Sequence, residues 1–225
     1  IICGGAILFS KAEKIFKEIV EKYNIAVAST ISGKGSLEDD HQNYLGVVGS
    51  NGGVLETREV VQNADLVIFI GCRAGSVTTE KWQYPNHNQK IIHIDNDPEV
   101  ISANYKTELS IVSDAKLFLE DLQEIGLQKV FNGKEDIKKL KESKWKNFYN
   151  LAKSSSLPIK PERIVSDLNS VLPDDCYIVA DAGTPCPYFS AFFKLKKSGK
   201  YFLSNRAHGA LGYALPAAIG VQIGM

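Results

Sequence analysis

Two short stretches near the end of the chain combine glycines with hydrogen-bonding residues in a way that could seat a ligand. Asp181-Ala182-Gly183-Thr184 closes an apolar run, and His208-Gly209-Ala210-Leu211-Gly212 opens another. A loop entering a helix meets an anion at the positive end of the helix dipole. Thr184 adds a hydroxyl donor, whereas Pro185 has no N–H to give. An ordinary strand-to-helix turn would carry the same residues. A second set lies earlier. Gly49 and Gly52 let backbone approach a ligand closely, as pyrophosphate binding needs. Arg73 follows an apolar run and could pair with phosphate. Asp95 and Asp97 end another, where a carboxylate can accept ribose or adenine hydrogen bonds. The bland alternatives are a helix cap for Asp97 and a surface ion pair for Arg73. His208 adjoins the Gly209 stretch and could act as an acid or base, but packing or a surface place explains it as well. His93 alternates within a buried run and reads as structural, while His41 and His87 fall in loops. Cys3, Cys72, Cys176 and Cys186 are far apart, with no zinc-like or redox pair.

The elements that must position these residues alternate in kind. Cys3-Gly4-Gly5-Ala6 reads as a strand end and turn. Ser10 and Glu13 suggest a capping box for a helix whose apolar face is Ala12, Ile15, Phe16, Ile19, Val20 and Tyr23. Ile25 to Thr30 reads as a strand, followed by a long loop from Gly33 to Gly53. A helix over Leu55 to Gln62 leads to Leu66–Gly71, apolar on both faces as in a central parallel strand. Lys90 to Asp95 repeats that pattern. Asp97-Pro98 then suggests a helix start, Leu109 to Val112 a short strand, and Asp114 the cap of a helix reaching Ile125. Repeated strand–helix–strand units predict an α/β fold with a doubly wound parallel sheet over residues 1–128.

Residues 129–157 read as a charged, solvated helix docking through Trp145, Phe148 and Tyr149, then a linker at Ser154–Pro158. Residues 158–225 read as an incomplete second α/β unit. Its helix starts at Pro161, with strands over Tyr177–Asp181 and Tyr201–Ser204, a helix over Tyr188–Phe193, and an apolar helix within Gly209–Gly224. Zero net charge over 225 residues argues against nucleic acid. No apolar run is long enough to span a bilayer. Hydrophobic content of 44% suits a folded core. Unpaired cysteines fit reduced thiols in the cytoplasm.

The chain resembles the thiamine diphosphate (ThDP) enzymes of the acetolactate synthase type. Gly4-Gly5, Thr30–Gly35, Asp40-His41, Leu45–Gly49, Ala64–Leu66, Ile70–Arg73 and Ile91–Pro98 fall in that family's order. The resemblance implies that residues 1–128 correspond to the central domain, which binds FAD in some members, ADP-like nucleotides in others and nothing in the rest. Ala74–Val77 depart from the flavin-binding pattern. It implies that Gly183 and Thr184 meet the diphosphate. It also implies that a carbonyl at Gly209, with Ala210 and Leu211 beside it, holds the bent cofactor. It further implies Mg2+, a small 2-oxo acid substrate and a homo-oligomeric parent, with the metal motif and an activating glutamate lying outside these 225 residues.

The expectation is therefore a fragment of a 2-oxo acid decarboxylase or carboligase, a lyase or transferase, inactive alone. No catalytic residue and no metal ligand is assigned within it. An exposed apolar tail should promote self-association. The competing expectations are a stand-alone nucleotide-binding regulatory module for FAD or ADP, and an NAD-dependent enzyme. The absence of Gly-x-Gly-x-x-Gly after the first strand weighs against the latter.

Overall fold

The structure is a computed structural model that describes residues 1–206 and 208–224. Its centre is a six-stranded, fully parallel sheet built from β1 (Ile2–Cys3), β2 (Val27–Ser29), β3 (Tyr44–Val47), β4 (Leu66–Ile70), β5 (Lys90–Asp95) and β6 (Leu109–Val112). The spatial order is β3-β2-β1-β4-β5-β6. The chain therefore winds outward twice from β1, and the direction reverses between β1 and β4. This is the expected α/β, doubly wound sheet. Register is continuous from Leu66↔Lys90 to Ile70↔Ile94, so the residues after β4 and β5 emerge side by side.

Helices cover both faces. On one face α1 (Ala6–Phe9), α2 (Glu13–Tyr23) and α4 (Ala115–Ile125) bury Ile7, Phe16, Ile19, Val20 and Leu119 against Ile70 and Ile94. On the other, Val61 of α3 (Leu55–Gln62) meets Ile2, Val67, Phe69 and Ile91. Apolar burial of this kind is the main stabilising term of the sheet unit.

Local chemistry explains most element ends and corrects some expectations. Asp114 caps α4 by accepting from the Lys116 and Leu117 N–H groups. Ser10 does not cap α2. Its hydroxyl donates back to the Ala6 carbonyl at 2.7 Å and closes α1, a turn too short to be read from periodicity. The loop expected from Gly33 to Gly53 contains β3, and a 3-10 turn at Ile31–Gly33 leads into it, where Thr30 Oγ1 accepts from the Gly33 N–H. Asp97-Pro98 begins turns, not a helix. Asp97 accepts from the Glu99 N–H, and its own N–H donates to Asp95 Oδ1.

A twenty-residue helix, α5 (Gly133–Ala152), crosses from this sheet to the remaining elements. These are α6 (Pro161–Val171), β7 (Ile178–Ala180), α7 (Pro185–Phe192), β8 (Phe202–Ser204) and α8 (Ala214–Gly224). β7 and β8 form a separate parallel pair. Aromatic docking of α5 is observed: Phe148 stacks on Phe192 at 4.5 Å between centroids, and Trp145 meets Phe148 edge-on. The helix is not simply solvated, however. Lys144 is fully buried and donates to the Leu45 carbonyl at 3.0 Å, in space that any side chain at Gly46 would fill. Desolvation lowers its pKa to about 7. Lys141 donates to the carbonyls of Asp39 and His41. Asp39 itself is buried, bonds Lys34 Nζ at 2.8 Å and accepts from the Leu195 N–H at 2.8 Å. One loop therefore fastens the sheet, α5 and the second unit.

Candidate functional site

Asp181 joins two exposed loops of the second unit. It follows β7, and its two carboxylate oxygens accept from the Gly212 N–H at 3.0 Å and the Ala214 N–H at 2.7 Å. These bonds draw the Gly209–Gly212 segment onto the Asp181–Thr184 loop. They also place a carboxylate at the start of α8, where the helix dipole favours it. The two stretches expected to act together are therefore neighbours. A side-chain carbon placed at Gly209 would lie 3.8 Å from Ala182 Cβ, and one at Gly183 would lie 3.8 Å from Leu211 Cδ2. Both glycines have positive φ, 63° and 89°, a conformation costly for other residues.

What these loops offer a ligand is specific. Among the described residues, the Gly183 and Thr184 N–H groups have no protein acceptor, and Thr184 is exposed with its hydroxyl uncommitted. The helix start beyond is poorer in donors than a helix N-terminus usually is. Pro185 and Pro187 have no N–H, and the Cys186 N–H is bound to the Gly183 carbonyl at 3.2 Å. The dipole of α7 remains, so the expected anion seat rests on the loop and not on the helix. Ala210 and Leu211 are exposed, Leu211 at 77%, so the apolar side chain that could support a ring is largely open to solvent. His208 is exposed as well, with its N–H near Asn205 Oδ1. Asp181 was visible in the sequence, but its clamping role was not. A carboxylate directly before a glycine loop is the signal that could have suggested it.

The second set of expected residues is dispersed. Arg73 and Asp95 emerge from adjacent strands at the carboxyl edge of the sheet. Arg73 is exposed, Asp95 is buried in its turn with Asp97, and Asp97 is exposed. Gly49 and Gly52 lie at the far side, after β3, and face protein. The Val77–Thr78 backbone fills the space before Gly49, and the Ser190 hydroxyl fills that before Gly52. The segment after β4 folds back to make this contact, with Ser50 N–H donating to the Val77 carbonyl at 2.8 Å and Arg58 pairing with Glu80. The structure uses both glycines for close packing.

The remaining reactive groups are quiet. All four cysteines are free. Burial pushes the thiols of Cys3 and Cys72 up to about 11 and about 12. His93 is buried with Nε2 at 2.8 Å from the Cys72 carbonyl oxygen, and burial lowers its pKa. Among the described residues no cluster of His, Cys, Asp and Glu could hold a metal ion, and no helix is long and apolar enough to cross a membrane.

Comparison with known proteins gives these loops a context. Residues 1–122 match the family model of the thiamine pyrophosphate enzyme central domain, and residues 181–225 match that of the C-terminal TPP binding domain. The chain is 34% identical to a probable acetolactate synthase large subunit of Methanococcus aeolicus, over 99% of this chain and 39% of that protein. Its identity to the probable acetolactate synthase large subunit of Methanocaldococcus jannaschii is also 34%, over 99% and 38%. The acetolactate synthase large subunit of Porphyra purpurea is 31% identical over 98% and 37%. The chain thus spans less than two fifths of these curated relatives.

Proposed function

The chain belongs to the thiamine pyrophosphate enzyme family, and from that premise we propose that residues 181–184 and 209–212 form one wall of a ThDP site serving 2-oxo acid chemistry of the acetolactate synthase kind. The observation that carries this reading is the Asp181 clamp. One carboxylate holds together two loops separated by about thirty residues, with open space before Gly212 and no close contact before Gly183 or Gly209.

The residues present fit that group in part. Gly183 and Thr184 would hold the diphosphate end through backbone N–H groups and the Thr184 hydroxyl. The Gly209 carbonyl would accept from the aminopyrimidine, and Leu211, with Ala210, would lie against the ring. Thiamine diphosphate, when bound, supplies a nucleophilic carbon and an electron sink for breaking the bond beside a 2-oxo group. Asp181 is a positioning residue. Both of its oxygens accept from backbone N–H groups, so it fixes the loops. Mg2+ would need oxygen ligands beyond Thr184. In this reading a small 2-oxo acid is the substrate and the working enzyme is a homo-oligomer. The outward apolar residues of α8 are consistent with further protein covering them.

The test is a titration of the isotope-labelled chain with ThDP and Mg2+, followed through backbone amide resonances. We expect shifts centred on Gly183, Thr184, Gly209 and Leu211. Shifts centred instead on Arg73 and Asp95, or none at millimolar ligand, would overturn the assignment.

A further inference from the structure

A cleft of about 200 Å³ lies between the sheet unit and the second unit. Phe9 and Ile31 form its wall on the sheet side, and Phe202 and Tyr213 on the other. Tyr213 sits between Gly212 and Ala214, the two residues held by Asp181, so the cleft opens beside the loops described above. Its lining carries two cations, Lys200 and Arg206, and no carboxylate.

Several cations of the chain pair with acids, among them Lys34 with Asp39 and Arg58 with Glu80, whereas Lys141 and the buried Lys144 donate to backbone carbonyls. Arg206 is half-buried, yet its neighbours are neutral. Nη1 lies 3.7 Å from Cys186 Sγ. With the Asn51 amide turned so that its oxygen faces the guanidinium, that oxygen accepts from Nη1 at 2.8 Å and Nη2 at 3.2 Å. Lys200 Nζ sits 4.5 Å above the Phe9 ring. Neither has an acidic partner among the described residues. Removing a cation from water without a counter-charge is costly, and a guanidinium has five N–H donors, of which these contacts use only some.

We propose that the cleft binds a small organic carboxylate with an apolar body, and that Arg206 is the residue that pairs with the carboxylate. Arg206 offers the planar fork that matches a carboxylate. Phe9, Ile31 and Phe202 face the body of the ligand, and Lys200 adds a second positive charge at the more exposed side. The proposal rests on the function given above and deepens it, since it assigns the carboxyl end of a 2-oxo acid to a named side chain.

The experiment uses the full chain without ThDP and 2-oxobutanoate as the probe. Calorimetric titration should show saturable binding of 2-oxobutanoate and none of 2-butanone, which lacks the carboxylate. Inorganic phosphate should bind more weakly, because it lacks the apolar body. Arg206→Gln should weaken binding by about 10-fold or more, and Arg206→Lys by less, since a charge-assisted pair is lost in the first and only its geometry in the second. In the unaltered chain, 2-oxobutanoate should protect Arg206 from phenylglyoxal, read by mass spectrometry. That measurement decides the matter even where a variant fails to fold. Absence of binding, equal binding of 2-butanone or phosphate, or modification of Arg206 unaffected by the probe would each overturn the proposal. The ThDP assignment fails or stands separately, on the amides of Gly183, Thr184, Gly209 and Leu211.

Discussion

The sheet unit and the second unit treat the same residue types in opposite ways. In the sheet unit, Gly4, Gly33, Gly49 and Gly52 press against backbone and side chains, though Gly75 does not, and the apolar residues of β4 and β5 are sealed between helices. In the second unit, nothing lies within 4 Å of a side-chain position at Gly212, and α8 has no buried residue. Leu215, Ile219 and Ile223 stand 72%, 53% and 81% exposed. A glycine-rich loop at a strand end is therefore not evidence of a ligand site by itself. It becomes a candidate only where the space before it is not filled, and that condition holds at Gly212, is met without a clash at Gly183 and Gly209, and fails at Gly49 and Gly52.

The sharpest way to break this comparison is to remove apolar bulk from each side. Phe69→Ala, in the sealed core, should cost about 3–5 kcal/mol of unfolding free energy. Leu215→Ala or Ile223→Ala in α8 should each change it by less than about 0.5 kcal/mol. Urea denaturation measures all three, and comparable losses would mean that α8 is as well packed as the sheet.

A smaller effect tests the junction between the regions. Lys144 has a pKa of about 7 in the folded chain against the usual 10.5. Between those values the unfolded chain binds more protons than the folded one, so stability rises with pH across that window and the deficit is full below about pH 7. The slope should approach about 1 kcal/mol per pH unit. Lys144→Met should flatten it, and urea midpoints taken from pH 7 to pH 9 compare the two. An unchanged slope would show that Lys144 reaches water.

The smallest effect concerns the open loops. Asp181→Asn keeps shape but retains one acceptor oxygen, so one of the two N–H bonds is lost, at about 1 kcal/mol. Faster proteolysis between residues 208 and 214, with the global midpoint nearly unchanged, is the expected signature. A matching fall in the global midpoint would join the loops to the core.

Much of this architecture can be read from residue order. The strands Leu66–Ile70 and Lys90–Asp95 lie where their apolar cores put them, because parallel central strands are apolar on both faces, and Leu109–Val112 follows as the short edge strand. The strand Tyr44–Val47 is hidden, since four residues interrupted by Gly46 carry no periodicity. Lys144 is hidden for a different reason. In a helix dense with Lys and Glu nothing distinguishes the lysine that turns inward, because the hole it fills is made by Gly46, about a hundred residues away. The Asp181–Thr184 and Gly209–Gly212 loops are legible as stretches. The carboxylate that joins them is legible only in space, because its partners are 31 and 33 residues distant. Arg206 escapes for the same reason: the lack of an acidic neighbour is a property of its surroundings and not of its position in the sequence.

Asp39 carries a consequence for how the molecule is assembled. Its partners are reached at widening intervals along the chain: Lys34 at five residues, Lys141 at 102 and the Leu195 N–H at 156. During synthesis from the amino end, a sheet that folds early would neutralise this carboxylate locally through Lys34. The long helix can then dock through Lys141 on the Asp39 backbone carbonyl, and the strand-and-loop unit last on the carboxylate. Each arriving segment meets an acceptor already held in place by the one before it, so the loop acts as an assembly jig whose closing step waits for residue 195.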